Sequence, residues 1–350
     1  MDSVTLTEIK RQQKGWKEAF KYLETKSENV KVKFLKYKNR TWIFTGCGTS
    51  LYIAQTASYC FTKITGIQSK AVAASEVIIS PEIVFPNDEF VLVPISRSGT
   101  TTEIVLAARK SGKEFSIPTI AVSCTSESEL VGECDNAITF PFQREESVVM
   151  TGSFLTMLLS IIYLALELSE DTNEKLRSEL TTLPDGSEKL MLSNELYIKE
   201  IACKLDLNEF VFLGQGPMYG LANEAALKMQ EMTISVAQGY HTLEYRHGPK
   251  STCAENTFAA VMLSDNGFDL EAKLIPELKD FGASTLVLYS DTEREHVNKA
   301  DFKIEIPKGY SDLMKPFFYL PLLQLLGYYR AVAKGINPDS PKNLTQVVKF

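Results

Sequence analysis

The chain has 350 residues, 44% of them apolar and 23% charged. These are the proportions of a soluble globular protein, and the length suits two domains better than one. A net charge of −7 argues against a nucleic-acid surface, while leaving room for a local basic pocket that takes a small anion.

The start, MDSVTLTEIKRQQ, lacks the apolar core of a signal peptide. Residues 5–25 alternate charged and apolar positions at helical period, with Ile9, Trp16, Phe20 and Leu23 on the inner side. A helix here would pack on the first domain or on a partner subunit. The Lys-rich stretch 26–40 reads as a short helix or loop with a solvated face.

The first domain begins with the β-rich run Thr41–Thr45, followed by Gly46-Cys47-Gly48-Thr49-Ser50 and a helix through Phe61. Strand, glycine turn and helix form the phosphate-cradling arrangement, with free N–H groups and the positive helix end facing an anion. A tight turn that merely needs glycine explains this stretch equally well. The pattern repeats over 90–110: strand Phe90–Ile95, then Ser96-Arg97-Ser98-Gly99-Thr100-Thr101, then a helix from Glu103. Four hydroxyls, an arginine and several backbone donors within six residues suit a phosphate monoester. A Ser/Thr-rich helix cap would account for only one or two of those hydroxyls.

Strands are expected at Pro118–Cys124 and Ala137–Phe140. The run 145–153 leads into an apolar helix over 154–167. Thr156 and Ser160 interrupt that run, and it is too short to span a bilayer. Alternating strands and helices indicate a parallel sheet wrapped on both faces, with ligands at the carboxyl ends of its strands. Residues 168–195, which include Pro184-Asp185-Gly186, read as a helix end, a turn and an inter-domain connection.

The second domain repeats the plan. Strands are expected at 210–213, 257–263, 285–290 and 302–307, with helices from Pro217, over 269–281 and over 313–333. Gly214-Gln215-Gly216 stands where Gly46-Cys47-Gly48 stood. Ser264-Asp265-Asn266-Gly267 stands where the hydroxyl loop stood, and Asp265 would repel a phosphate. In the helix after Pro217, Glu224, Lys228 and Glu231 are spaced i, i+4, i+7 and share one face. Beyond it come His241, Glu244, Arg246 and His247. Two of the chain's three histidines fall in this segment. His241 could pack against its loop or line a pocket, Arg246 could simply anchor its loop, and His296 sits in a charged, solvent-facing run (Glu293-Arg294-Glu295-His296).

Six scattered cysteines without a CxxC pair are those of a cytosolic protein with reduced, mostly buried thiols. Cys47 reads as a packing residue rather than a nucleophile. No cluster has metal-ligand spacing, so neither a metal nor a cofactor is expected.

The segments GCGTS (46–50), SRSGTT (96–101), ESVVMTGSF (146–154), NEAALKMQE (223–231) and EYRHGPKS (244–251) together resemble the SIS (sugar isomerase) family with tandem domains. The resemblance spans nearly the whole chain. It is similar in pattern to the isomerase half of glucosamine-6-phosphate synthase and to galactosamine/glucosamine-6-phosphate deaminase–isomerases, and RHGPKS in particular is similar to the second group. The resemblance implies two α/β SIS domains, each doubly wound as a flavodoxin-like three-layer sandwich. Their expected bounds are 1–25 for the N-terminal helix, 26–180 for the phosphate-binding domain, 195–335 for the domain with catalytic residues and 336–350 for a tail.

It further implies that Ser50, Ser96, Ser98 and Thr101 bind the substrate phosphate, with Thr49 and Arg97 adjoining. Glu231 would move a proton between sugar C1 and C2, Lys228 and Glu224 would hold and tune it, and His247 would open the sugar ring. In the synthase that histidine comes from the neighbouring subunit, which implies a homodimer with shared sites acting on a small sugar phosphate; the cysteines, the net charge and the short apolar runs add the expectation of a cytoplasmic protein without nucleic-acid or membrane partners. The chain departs from the synthase in two ways. No glutaminase region precedes the SIS region, and Gln346 stands at the position of the synthase's tail lysine, where it cannot form an imine. The tail is bounded by prolines and polar; a free tail and a lid are both compatible with it.

The residue set suits proton transfer without a cofactor. Remote phosphate binding would position the sugar. Three readings follow: an amino-sugar-6-phosphate deaminase/isomerase; a ketose–aldose isomerase or fructosamine-6-phosphate deglycase; and a SIS module that only senses a sugar phosphate. The joint presence of Glu224, Lys228, Glu231 and His247 favours an enzyme, because a sensor needs only the hydroxyl loops.

Overall fold

The computed structural model describes residues 3–204, 207, 209–290 and 295–349. Of the charged run at 293–296, Glu293 and Arg294 lie outside the described residues. The chain opens with α1 (Val4–Glu24) and α2 (Ser27–Phe34). Helix α1 buries Ile9, Trp16 and Leu23, as its periodicity requires, and Phe20 meets the Tyr163 ring edge-on at 5.9 Å.

Two compact units follow from the chain's contacts: Arg11–Glu146 with Met150–Lys175 and Thr345–Phe350, and Met1–Lys10 with Ser147–Val149 and Leu176–Leu344. The first holds β1 (Thr41–Gly46), α3 (Thr49–Thr65), β2 (Ser69–Ala73), α4 (Ala74–Ile79), α5 (Pro81–Val84), β3 (Phe90–Ser96), α6 (Thr102–Phe115), β4 (Ile120–Ser123), α7 (Glu129–Glu133), β5 (Asn136–Thr139) and α8 (Gly152–Leu168). Its five strands are parallel, in the order β2-β1-β3-β4-β5. This is a doubly wound, flavodoxin-like order. Successive residues of β1 serve opposite layers. Trp42 and Phe44 pack on Phe61 of α3, at 4.7 and 5.4 Å between ring centroids, while Ile43 packs with Val77, Ile104 and Ala108 of α4 and α6.

The second unit is built from α9 (Glu174–Lys204), β6 (Glu209–Gly214), α10 (Met218–Thr233), β7 (Val236–Tyr240), β8 (Thr257–Met262), α11 (Phe268–Glu271), α12 (Leu274–Asp280), β9 (Ser284–Ser290), β10 (Phe302–Ile306) and α13 (Pro316–Ala333). Its parallel sheet runs β7-β6-β8-β9-β10, the same order again. Val211, Val261 and Val287 pack on Leu274, Ile275 and Leu278 of α12, while α10 and α13 lie against one another.

The first glycine of each glycine turn is needed for close approach. A Cβ on Gly46 would stand 2.6 Å from the Ser50 carbonyl oxygen, and one on Gly214 would stand 2.3 Å from that of Met218. Both sheets therefore press the start of their first helix against the end of their first strand.

The structure differs from the sequence expectations in three places. Strands β2 and β7 were not expected. Both are sheet edges with mostly part-exposed residues, so they carry no continuous apolar run. Residues 174–204 form one helix of 31 residues through Pro184, not a turn. Leu180, Leu183, Leu190, Met191, Ile198 and Ile201 bury one stripe of it, which outweighs the hydrogen bond that Pro184 cannot donate. The helix expected over 269–281 breaks into α11 and α12.

Candidate active site

In the first unit, the loops after β1 and β3 each open a helix of more than three turns, α3 and α6. Neither helix has a side-chain cap at its start; the Thr102 amide of α6 donates to the Val348 carbonyl at 3.3 Å, and both positive helix ends face the loops. Thr49, Ser50 and Ser96 are buried there, and Ser98 and Thr101 are part-exposed. Within the loop, Ser96 Oγ accepts from the Gly99 amide at 3.0 Å and Ser98 Oγ from the Thr100 amide at 3.2 Å. These bonds fix the loop's curvature.

Arg97 points to Glu145, with Nη1 to Oε2 at 3.3 Å. Sequence reasoning gave Glu145 no role, yet its carboxylate collects several hydrogen bonds besides the ion pair. It accepts the amides of Thr151 and Ser153 at 3.2 and 2.7 Å, and both of their hydroxyls at 3.0 and 2.6 Å. The one signal in the sequence was an acid a few residues before a long apolar helix. A cavity of about 810 Å³ opens beside the loop, lined by Arg97, Ser98, Thr125, Glu145, Gln346 and Val347 among others. Burial, aided by Glu103, pushes the Cys47 thiol up to about 12, so it stays protonated, as its reading as a packing residue requires.

In the second unit, α10 gathers the three spaced charges as expected. Glu224 and Lys228 are fully buried, and Glu231 keeps 17% of its side chain exposed. Lys228 Nζ stands 2.5 Å from Glu231 Oε2 and 3.4 Å from Glu224 Oε1. Burial alone would lower the Lys228 pKa, but the two carboxylates outweigh it and leave the pKa raised. The lysine is a fixed cation, and it holds Glu231 in one orientation at the accessible end of the row.

The segment after β7 separates the remaining candidates. His241 stacks flat on Tyr219, 3.6 Å between centroids and 15° between planes. Burial lowers its pKa against the pull of Glu244, which keeps the ring neutral near pH 7. His247 is exposed and follows a short 3₁₀ turn at Glu244–Arg246. Arg246 Nε pairs with Glu277 at 2.9 Å and so anchors the loop. His296 is part-exposed.

The loop after β8 has the same internal geometry as its counterpart, since the Gly267 amide donates to Ser264 Oγ at 2.9 Å. Its polarity is reversed. The amides of Asp265 and Asn266 donate to the two oxygens of Asp312, at 2.7 and 3.2 Å. Lys315, wholly buried, stands 2.6 Å from Asp265 and 2.9 Å from Asp312. Ser264 donates its hydroxyl to Glu271 at 2.5 Å. The chain's own carboxylate occupies the donors that would otherwise face a ligand.

The profile of the SIS domain matches residues 36–167 and again 206–333. The chain belongs to the SIS family. Both SIS matches coincide with the two parallel sheets. The chain is similar to a glutamine–fructose-6-phosphate aminotransferase (isomerizing) of Pseudomonas putida, with 31% identity over 313 residues covering 86% of this chain and 50% of that protein. A homologous aminotransferase of Methanothermobacter thermautotrophicus is 29% identical over 308 residues, 87% of this chain and 51% of that one. The chain thus spans about half the length of these curated relatives. Among solved structures, a glucosamine-6-phosphate deaminase from Thermotoga maritima matches with a TM-score of 0.80 and 31% identity, covering 99% of both chains. A tagatose-6-phosphate ketose/aldose isomerase from Escherichia coli matches with a TM-score of 0.84 at 23% identity, covering 97% of this chain and 95% of that one, a likeness of fold. Among the described residues no helix is long and apolar enough to cross a membrane.

Proposed function

We propose that this SIS protein is an amino-sugar-6-phosphate deaminase/isomerase. The observation that carries the reading is the row Glu224–Lys228–Glu231, a buried ion-paired triad with one carboxylate left accessible. A phosphate sensor has no use for it. The similarity to the Thermotoga deaminase, at 31% identity over 99% of both chains, supports deamination. Gln346 supports it too, because an amide cannot form an imine with the sugar.

In this reading Ser50, Ser96, Ser98 and Thr101 bind the phosphate, with Thr49 and Arg97 adjoining, at the two uncapped helix starts. His247 opens the ring; its exposure suits service to a neighbouring subunit of a cytoplasmic homodimer. Glu231 takes the proton from C2 of the open aldose while the C1 carbonyl oxygen gains one from water, and it returns the proton at C1 as the nitrogen gives one back to water. The C2 amine becomes an imine, which water hydrolyses to the ketose phosphate and ammonia. Lys228 steadies Glu231, and Glu224 steadies Lys228.

The test is free ammonia released from glucosamine 6-phosphate and galactosamine 6-phosphate, with Glu231→Gln as control. Release that vanishes in the variant supports both the reaction and the base. Silence on both substrates, with fructose 6-phosphate still bound, sinks the deaminase reading and favours a ketose–aldose isomerase, a fructosamine-6-phosphate deglycase or a sensor. Release that survives the substitution removes Glu231 as the base.

A further inference from the structure

Each unit ties its second loop to the stretch before its last sheet-covering helix by an ion pair, and the two pairs have opposite polarity. In the first unit the loop supplies the cation, Arg97, and the partner is Glu145, which is itself bonded to the first turn of α8. In the second unit the loop supplies the anion, Asp265, and the partner is Lys315, immediately before α13. The positions correspond. Arg97 follows Ser96, Asp265 follows Ser264, and each serine accepts the amide three residues on. The second pair keeps the place with its sign inverted, in a loop whose amides already donate to Asp312. What the two share is mechanical: both fasten a loop to a helix start.

The pair in the first unit has a third member. Arg97 Nη2 donates to the carbonyl of Gln346 at 3.5 Å, and the Gln346 side-chain amide donates to the Glu145 carbonyl at 3.4 Å. Two residues on, the Val348 carbonyl accepts the amide of Thr102, the first residue of α6, at 3.3 Å. Each bond is long and individually weak. All three join residues 346–348 to the segment that carries the hydroxyl loop or to the acid that fastens it.

We infer that Glu145 and Arg97 are positioning residues that clasp the C-terminal tail onto the hydroxyl loop, so that the loop's order and the tail's closure are one event. Ser96, Ser98 and Thr101 do the binding. Arg97 is committed to Glu145 and the tail, and it acts on the ligand through them. The link from clasp to ligand rests on the phosphate reading proposed above; the clasp itself does not.

Hydrogen exchange of the Thr102 amide, which the tail's Val348 carbonyl accepts, tests this in the full chain, first without ligand and then with fructose 6-phosphate as the probe. Arg97→Ala and Glu145→Gln are each expected to speed its ligand-free exchange several-fold, and Arg97→Lys, which keeps the charge, to recover part of the protection. Fructose 6-phosphate is expected to slow this exchange in the natural protein and to lose that effect in both variants. Gln346→Ala, which removes the side-chain amide from the Glu145 carbonyl, should speed it in the same way and serves if Glu145→Gln does not fold. Exchange of the Thr102 amide that is unchanged in Arg97→Ala and Gln346→Ala overturns the clasp. Natural protein that does not bind fructose 6-phosphate, but whose Thr102 amide is released in the variants, overturns the phosphosugar reading and leaves the clasp standing.

Discussion

Asp301 accepts both the amide and the hydroxyl of Thr285, at 2.8 and 3.1 Å, and donates its own amide back to that hydroxyl at 3.1 Å. Thr119 and Asp135 make the same three bonds in the first unit, at 2.8, 3.1 and 3.0 Å. Both pairs join the entry of the fourth strand to the entry of the fifth, so the duplication reaches down to single hydrogen bonds. The second pair has one addition: Lys279 Nζ reaches Asp301 at 2.7 Å.

This addition makes the second pair sensitive to acid. Burial would raise the Asp301 pKa, but the bonds from Lys279 and Thr285 outweigh it and hold it below the usual carboxylate range. Its contribution to stability is therefore complete above the unfolded value of about 3.9 and is lost as pH falls through the folded value. Asp301→Asn should destabilise the protein by at most about 1 kcal/mol at pH 7, because a carboxylate a third exposed is partly screened by solvent, and flatten the loss of stability below about pH 4. Urea unfolding across pH 3–7 checks it, and an acid limb as steep as the natural protein's would refute it.

His241 should show a slope of the same sign in a higher pH window. Its pKa is lowered on folding, so the unfolded chain binds a proton that the folded ring resists. Stability is then unaffected well above pH 6.5, falls as pH drops below it, and levels off under the folded value. His241→Phe keeps a ring against Tyr219 and should remove this component. The NMR titration of the natural His241 ring should have its midpoint under 6.5; a midpoint above that value contradicts the burial argument.

Replacing Lys228 by methionine leaves Glu224 buried beside an apolar chain. Breaking a buried pair from one side costs about 3–5 kcal/mol. Lys228→Met should lose about that much, together with all activity that depends on Glu231. The double variant Glu224→Gln/Lys228→Met should recover a large part of the stability and none of the activity, because Glu231 still lacks its holder. Denaturant melts and the ammonia assay separate the two effects. Single and double variants of equal stability would mean that the pair contributes little.

Ser98→Ala should weaken binding of fructose 6-phosphate about tenfold, the worth of one hydrogen bond to a charged group. Ser96→Ala should weaken it by a similar factor and also destabilise the fold by about 1–2 kcal/mol, since the buried Gly99 amide loses its acceptor. Calorimetric titration with parallel thermal melts checks both. Equal effects on stability would show that the two serines do not divide their roles as their bonds indicate.

Much of this architecture was legible in the sequence. The interior strands β1, β3, β6 and β8 are buried along nearly their whole length and read as continuous apolar runs. The glycine turns and the spacing of Glu224, Lys228 and Glu231 place chemistry on defined turns and one helix face. What stayed hidden depends on partners far away in the chain. Edge strands β2 and β7 acquire their identity only from a neighbour. The helix through Pro184 follows from the stripe it buries, which a local turn signal masked. Glu145 and Lys315 gain their roles from residues 48 and 50 positions distant, and no local pattern marks an acid that will meet Arg97 or a lysine that will meet Asp265.

The carboxylate of Asp312 on the amides of Asp265 and Asn266 sets the ligand stoichiometry. A tethered anion competes at an effective concentration in the millimolar range or above, and it cannot diffuse away. Free phosphate esters at cellular levels meet a second nest that is already filled. On the proposed phosphate reading, a fold repeated twice therefore offers one phosphate seat per polypeptide, and saturation at a one-to-one ratio is the outcome that self-occupancy dictates.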